Sequence, residues 1–135
     1  MKVLKYTFLA LVLVGFSSCE TPPTTYTKIT GLWRCDEYNT TTGLNRTYTV
    51  DIYSTKDSTQ FLLNNFNYEN SEISEANVIC QLKGKNITIS NQAIVTQTVK
   101  SGKGLVSNDF KRIDFDYVIY NGITDMAVKA TYSRK

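Results

Sequence analysis

From Gly31 onward, apolar and polar residues alternate in short runs, and no long stretch shows helical spacing. A period of two puts one set of side chains on one face of a strand and the intervening set on the other. The clearest run is Arg112–Tyr120, where Ile113, Phe115, Tyr117 and Ile119 share a face opposite Arg112, Asp114 and Asp116. Met126, Val128, Ala130 and Tyr132 form a second row, Tyr48, Val50 and Ile52 a third, and Val78, Cys80 and Leu82 a fourth. The pattern predicts eight strands: Leu32–Tyr38, Thr47–Tyr53, Gln60–Asn65, Asn77–Lys83, Asn86–Ser90, Ala93–Val99, Arg112–Tyr120 and Asp125–Ser133. Lys83-Gly84-Lys85-Asn86 and Asn121-Gly122 have the composition of hairpin turns. Ser101-Gly102-Lys103-Gly104 fits either a turn or a bulged strand start. Phe66–Glu75 fits either a loop or one helical turn, and is the natural place for a lid. Eight short strands with short connections predict an all-β, antiparallel, up-and-down meander, closed into a barrel because closure removes exposed edges.

The N-terminus follows another pattern. Lys2 and Lys5 precede the apolar run Tyr6–Phe16, and Ser17, Ser18 and Cys19 follow it. This is the layout of a secretory signal peptide, and the run is shorter than the about 20 residues that span a bilayer. Phe16-Ser17-Ser18-Cys19 resembles the lipobox of bacterial lipoproteins, which implies cleavage before Cys19 and acyl chains on its sulfur. Glu20–Thr30 holds both prolines and reads as an extended tether. The expected organisation is a signal peptide over 1–18, a lipidated tether over 19–30 and a barrel domain over 31–135. Only Glu20 is acidic directly after Cys19, rather than the acidic run that resembles a surface-export signal. That favours the periplasmic face of the outer membrane over the cell surface.

Composition narrows the chemistry. The 135 residues suit one domain, and the formal charge is +3. Removing residues 1–18 leaves 135 − 18 = 117 residues with 13 basic and 12 acidic side chains, a net +1. Such a domain has no overall charge to draw it to nucleic acid. The absence of histidine removes the commonest base and metal ligand. Asp114, Asp116 and Asp125, or Asp36 with Glu37, are the carboxylate groupings, and an ordinary solvated surface explains them better than a catalytic pair. Asn64, Asn65, Asn67, Glu69, Asn70 and Glu72 offer oxygen ligands without the spacing of a calcium loop. No catalytic site, metal or cofactor is expected. Export would permit a disulfide between Cys35 and Cys80, but they fall on the first and fourth strands, which are not barrel neighbours. Two separate buried thiols are the preferred reading.

Gly31-Leu32-Trp33 resembles the Gly-x-Trp of lipocalins and related calycin barrels, in which the tryptophan closes the barrel floor. Asn86–Gln92, Ser101–Gly104 and Ile113–Val118 resemble small lipocalin-like lipoproteins of Bacteroidetes-type bacteria, with Asn91 where such proteins often carry proline. The resemblance implies an eight-stranded barrel on a lipid anchor, most members having no established activity. Trp33 is expected beneath the barrel against Phe115, Tyr117, Met126 and Val128, with Gly31 approaching closely under the ring. Tyr48, Tyr117 and Tyr132 lie in inward rows, where they either line a cavity or fill the core. Two functions follow: a non-catalytic envelope or interaction protein with a largely packed barrel, or a carrier of a small apolar or amphipathic ligand.

Overall fold

The barrel closes by pairing the last strand with the first. A computed structural model describes residues 25–68 and 77–134. The leader, Cys19, the start of the tether, and Glu69, Asn70 and Glu72 lie outside those residues. The elements are α1 (Thr25–Ile29), β1 (Gly31–Asn39), β2 (Asn45–Ser54), β3 (Gln60–Asn64), β4 (Val78–Lys83), β5 (Asn86–Ile89), β6 (Gln92–Ile94), β7 (Gln97–Val106), β8 (Arg112–Tyr120) and β9 (Asp125–Ser133). A short turn, Phe66–Tyr68, follows β3.

Each strand pairs antiparallel with its sequence neighbour from β1 to β5 and from β7 to β9. β9 returns to β1, with Arg34 opposite Ser133 and Asn39 opposite Val128. β5 and β6 both pair with β7 in one continuous register, from Asn86 opposite Leu105 to Ile94 opposite Gln97. They therefore form one stave interrupted at Ser90-Asn91, and the closed barrel has eight. Alternation supplies the core: Trp33, Cys35, Val50, Phe61, Cys80, Ile113, Ile119 and Tyr132 are all at most 1% exposed. Among the described residues, closure leaves no long unpaired edge for another chain to join.

Three expectations about the elements need correction. Ala93–Val99 is not a strand, because Val95-Thr96 turns the chain between β6 and β7. Val95 takes φ +39°, rare for a β-branched residue, so nothing in its residue type marks the turn. Ser101–Gly104 is neither turn nor strand start but the interior of β7, bulged at Lys100. Its glycines serve space: a Cβ on Gly104 would lie 2.6 Å from the Phe115 ring, and one on Gly102 3.0 Å from Ile89 and Tyr117. The third concerns the tether, whose residues 25–29 form α1 and carry fully buried Ile29 onto the barrel end.

That end is built around Trp33, which is 1% exposed. Its indole N–H donates to the Ile29 carbonyl at 2.8 Å, and the Arg134 guanidinium lies over its ring, 4.6 Å from the centroid. Arg134 also donates to the Thr30 carbonyl, and the Tyr26 hydroxyl to the Thr55 carbonyl, so α1 is fastened at several points. The expected neighbours were misplaced. The β1–β9 register sets Cys35 against Tyr132 and Asn39 against Val128, so Met126, Val128 and Tyr117 belong to the opposite end. Phe115 lies level with Glu37, through Ala130, four residues along β1 from Trp33. Gly31 is required by its φ of +104° between α1 and β1, and the nearest group to its absent Cβ is Arg134, not the indole.

Candidate functional site

At the end of the barrel opposite α1, polar side chains point into the core. Glu37 continues the inward row of Trp33 and Cys35 and is only 3% exposed. One of its carboxylate oxygens accepts hydrogen bonds from the hydroxyls of Tyr48 and Tyr117, both at 2.5 Å. The other lies 2.9 Å from a guanidinium nitrogen of Arg46, a charge contact that answers it even though its angle falls outside hydrogen-bond geometry. A buried carboxylate without such partners would be costly. The same Arg46 nitrogen donates to the Asn67 side chain at 3.2 Å, and Asn67 in turn donates to Gln97 at 2.5 Å.

This network fastens the Phe66–Tyr68 turn across the barrel mouth. Phe66 is fully buried, its ring 4.5 Å from that of Tyr117, and Tyr68 meets Tyr48 edge-on at 5.5 Å. Asn65, Asn67 and Tyr68 all have left-handed backbone, with φ of 61°, 53° and 61°. Such conformations persist in residues other than glycine where surrounding contacts over-determine them. Asn65 is held by the Thr49 carbonyl, and Asn64 donates to Asn77. Asn64, Asn65 and Asn67, considered as cation ligands, thus tie the strap to the wall.

The remaining predicted residues separate into interior and surface. Tyr48 and Tyr117 face Glu37 at the mouth, while Tyr132 lies deeper, its ring 4.8 Å from Phe115. The Tyr132 hydroxyl is buried without a hydrogen-bond partner in the protein. Burial pushes the pKa values of all three phenols up, with neighbouring phenols or Glu37 adding to it, so they remain donors. Cys35 and Cys80 are free, buried thiols, and β2 and β3 stand between their strands. Burial pushes the Cys35 thiol up to about 12 and raises Cys80 as well. Thiols held this far from the thiolate are poor nucleophiles.

Asp114 and Asp116 are on the outer wall. Asp116 pairs with Lys129 at 2.6 Å and Asp114 with Arg112 at 2.8 Å. Burial works against the Asp114 carboxylate, but hydrogen bonds from Arg112 and Thr131 hold its pKa below the usual value. Two shallow surface grooves of about 420 and 450 Å³ cross this wall, sharing Lys103 and Asp116. Among the described residues no cluster of three or more Cys, Asp or Glu is arranged to hold a metal ion. Nor does the Glu37 network hold an activated nucleophile: its carboxylate is occupied by two phenols and a guanidinium.

No family model matches this chain, and no curated protein matches it. Sequence reasoning missed Glu37 as an inward residue, together with Arg46, Asn67 and Gln97. For Glu37 the signal was present, since it falls in phase with Trp33 and Cys35. Arg46, Asn67 and Gln97 left none, because polar residues near strand ends ordinarily face water.

Proposed function

We propose that this chain is a non-catalytic envelope protein, akin to lipocalin-like lipoproteins. It is anchored to the outer membrane by acyl chains on Cys19 and meets an envelope partner through its surface. Residues 16–19 support the anchor, and the periplasmic face follows from the single acidic residue after Cys19. The observation that carries the interaction reading is Phe66. Its buried ring against Tyr117, with Asn67 locked between Arg46 and Gln97, fills the mouth with the chain's own side chains. A carrier of small molecules needs a mostly apolar pocket of about 300–1,000 Å³.

One observation favours the second reading, the binding of a small apolar or amphipathic ligand. The Tyr132 hydroxyl is buried without a hydrogen-bond partner in the protein, and Asn65, Asn67 and Tyr68 in and beside the strap have left-handed backbone. A ligand carrying one hydrogen-bonding group could displace Phe66 and engage that hydroxyl. Native mass spectrometry of protein purified from its own host separates the two readings. Packed-barrel protein gives the mass of the polypeptide and its lipid alone. A reproducible additional small molecule would replace the first reading with the second.

A further inference from the structure

Charge is segregated along the barrel axis. At the α1 end, the helix, the connections and the end of β4 carry Lys28, Lys56, Lys83, Lys85, Lys111 and Arg134, against Asp57 and Asp109, while Arg112 at the start of β8 is paired with Asp114. That is a local net charge of +4 in a chain whose mature form carries about +1 by formal counting. The connections at the opposite end, residues 40–44, 65–68, 95–96 and 121–124, contain no charged residue.

The cations are gathered as well as numerous. Lys28 and Lys85 both lie over the ring of Phe110, 4.3 and 5.2 Å from its centroid. The backbone N–H of Arg134 donates to the Lys111 carbonyl at 3.0 Å, which brings these two residues side by side. Lys56 follows Thr55, whose carbonyl accepts from Tyr26 of α1. The stacked lysines keep their positive heads at the surface while their neighbours hold them in place.

We propose that the α1 end of the barrel is a docking surface for the phosphate headgroups of anionic lipids. The basic end is an observation in its own right, and its facing the bilayer rests on the Cys19 anchor. Cys19 precedes Thr25 by six residues, a reach of at most about 20 Å when fully extended. Anchored there, the basic end can descend to within the about 8 Å over which charges act at physiological salt. The acyl chains on Cys19 would hold the chain at the bilayer by themselves, so the basic end sets its orientation rather than its attachment. Docking this way stands the barrel axis along the bilayer normal and presents the mouth end to partners.

The test is sedimentation with vesicles, using the full chain carrying Cys19→Ala after export, so that no acyl chain contributes. Vesicles of phosphatidylcholine with phosphatidylglycerol are compared with vesicles of phosphatidylcholine alone, at low and high salt. Binding is expected to the anionic vesicles only and to disappear at high salt. The exposed triple variant Lys28→Gln, Lys83→Gln, Lys111→Gln should lower partitioning about 100-fold, at about fivefold per cation. The control Lys100→Gln, Lys103→Gln, Lys129→Gln removes the same charge from elsewhere on β7 and β9 and should bind nearly as the parent does. Circular dichroism checks that both variants are folded. Equal loss from both triples would reduce the effect to net charge and overturn the proposal. So would equal binding to both vesicle types, or binding to duplex DNA with none to vesicles. Absence of lipid on native Cys19 would remove the anchor while leaving this measurement intact.

Discussion

Truncating Trp33 should remove the support beneath one whole end of the barrel. The indole is 1% exposed, donates to Ile29 and lies under Arg134. Replacing a buried tryptophan with alanine costs about 3–5 kcal/mol. Leaving the Ile29 carbonyl without its donor costs about 1–3 kcal/mol more, and the two overlap because both free α1. A total of about 4–6 kcal/mol is expected, against about 5–15 kcal/mol for a whole domain. Trp33→Phe keeps an aromatic ring and loses the N–H, so about 1–3 kcal/mol should go. The assay is urea unfolding followed by far-ultraviolet circular dichroism, since the variants lack the only tryptophan. With a slope of about 1.5–2 kcal/mol per molar urea, Trp33→Ala should lower the midpoint by about 2–4 M or prevent folding. Tyr53→Ala, at a position 46% exposed, should change stability by no more than about 0.5 kcal/mol. If Trp33→Ala unfolds at the same urea concentration as Tyr53→Ala, the indole is not the support described here.

Gly104→Ala should destabilise by about 1–3 kcal/mol through contact with Phe115, and Phe115→Leu in the same chain should recover part of that loss in thermal melts. Equal melting of Gly104→Ala and the native chain would mean that the Phe115 ring moves freely. Raising the pH should weaken the fold, because the native state holds the protons of Cys35, Cys80, Tyr48, Tyr117 and Tyr132 more tightly than the unfolded chain does. That stabilisation is complete below the unfolded pKa values and is lost as pH rises above them. For Cys35 the window runs from its ordinary 9.0 to about 12. Each group contributes about 1.4 kcal/mol per pH unit within its window, so urea midpoints should fall from pH 8 to pH 10.5. A flat profile would show that these groups titrate alike in both states.

The barrel was legible because its strands bury one face only. Rows such as Ile113, Phe115, Tyr117 and Ile119 fix both the strand and its inward side. The errors came where a residue's usual role differs from its role here. Gly102 and Gly104 look like turn formers, but inward neighbours exclude a Cβ from a straight strand. Val95 looks like a strand former, yet it turns the chain with left-handed backbone. Five residues are too few to show helical periodicity, so α1 was hidden in the Thr-rich tether. The mouth network was hidden for a different reason. Glu37 is buried because Tyr48, Tyr117 and Arg46 converge on it, and that convergence depends on register across three strands. The segregated charge was equally invisible in the net count, since loops remote in sequence supply the basic end.

The proposed anchor at Cys19 would determine how the whole barrel is presented, and intact mass spectrometry of protein extracted from host membranes tests it most directly. The account predicts a 117-residue chain beginning at Cys19, heavier than its polypeptide by a glyceryl group and fatty acyl chains. A chain beginning elsewhere, or a Cys19 of unmodified mass, would contradict it.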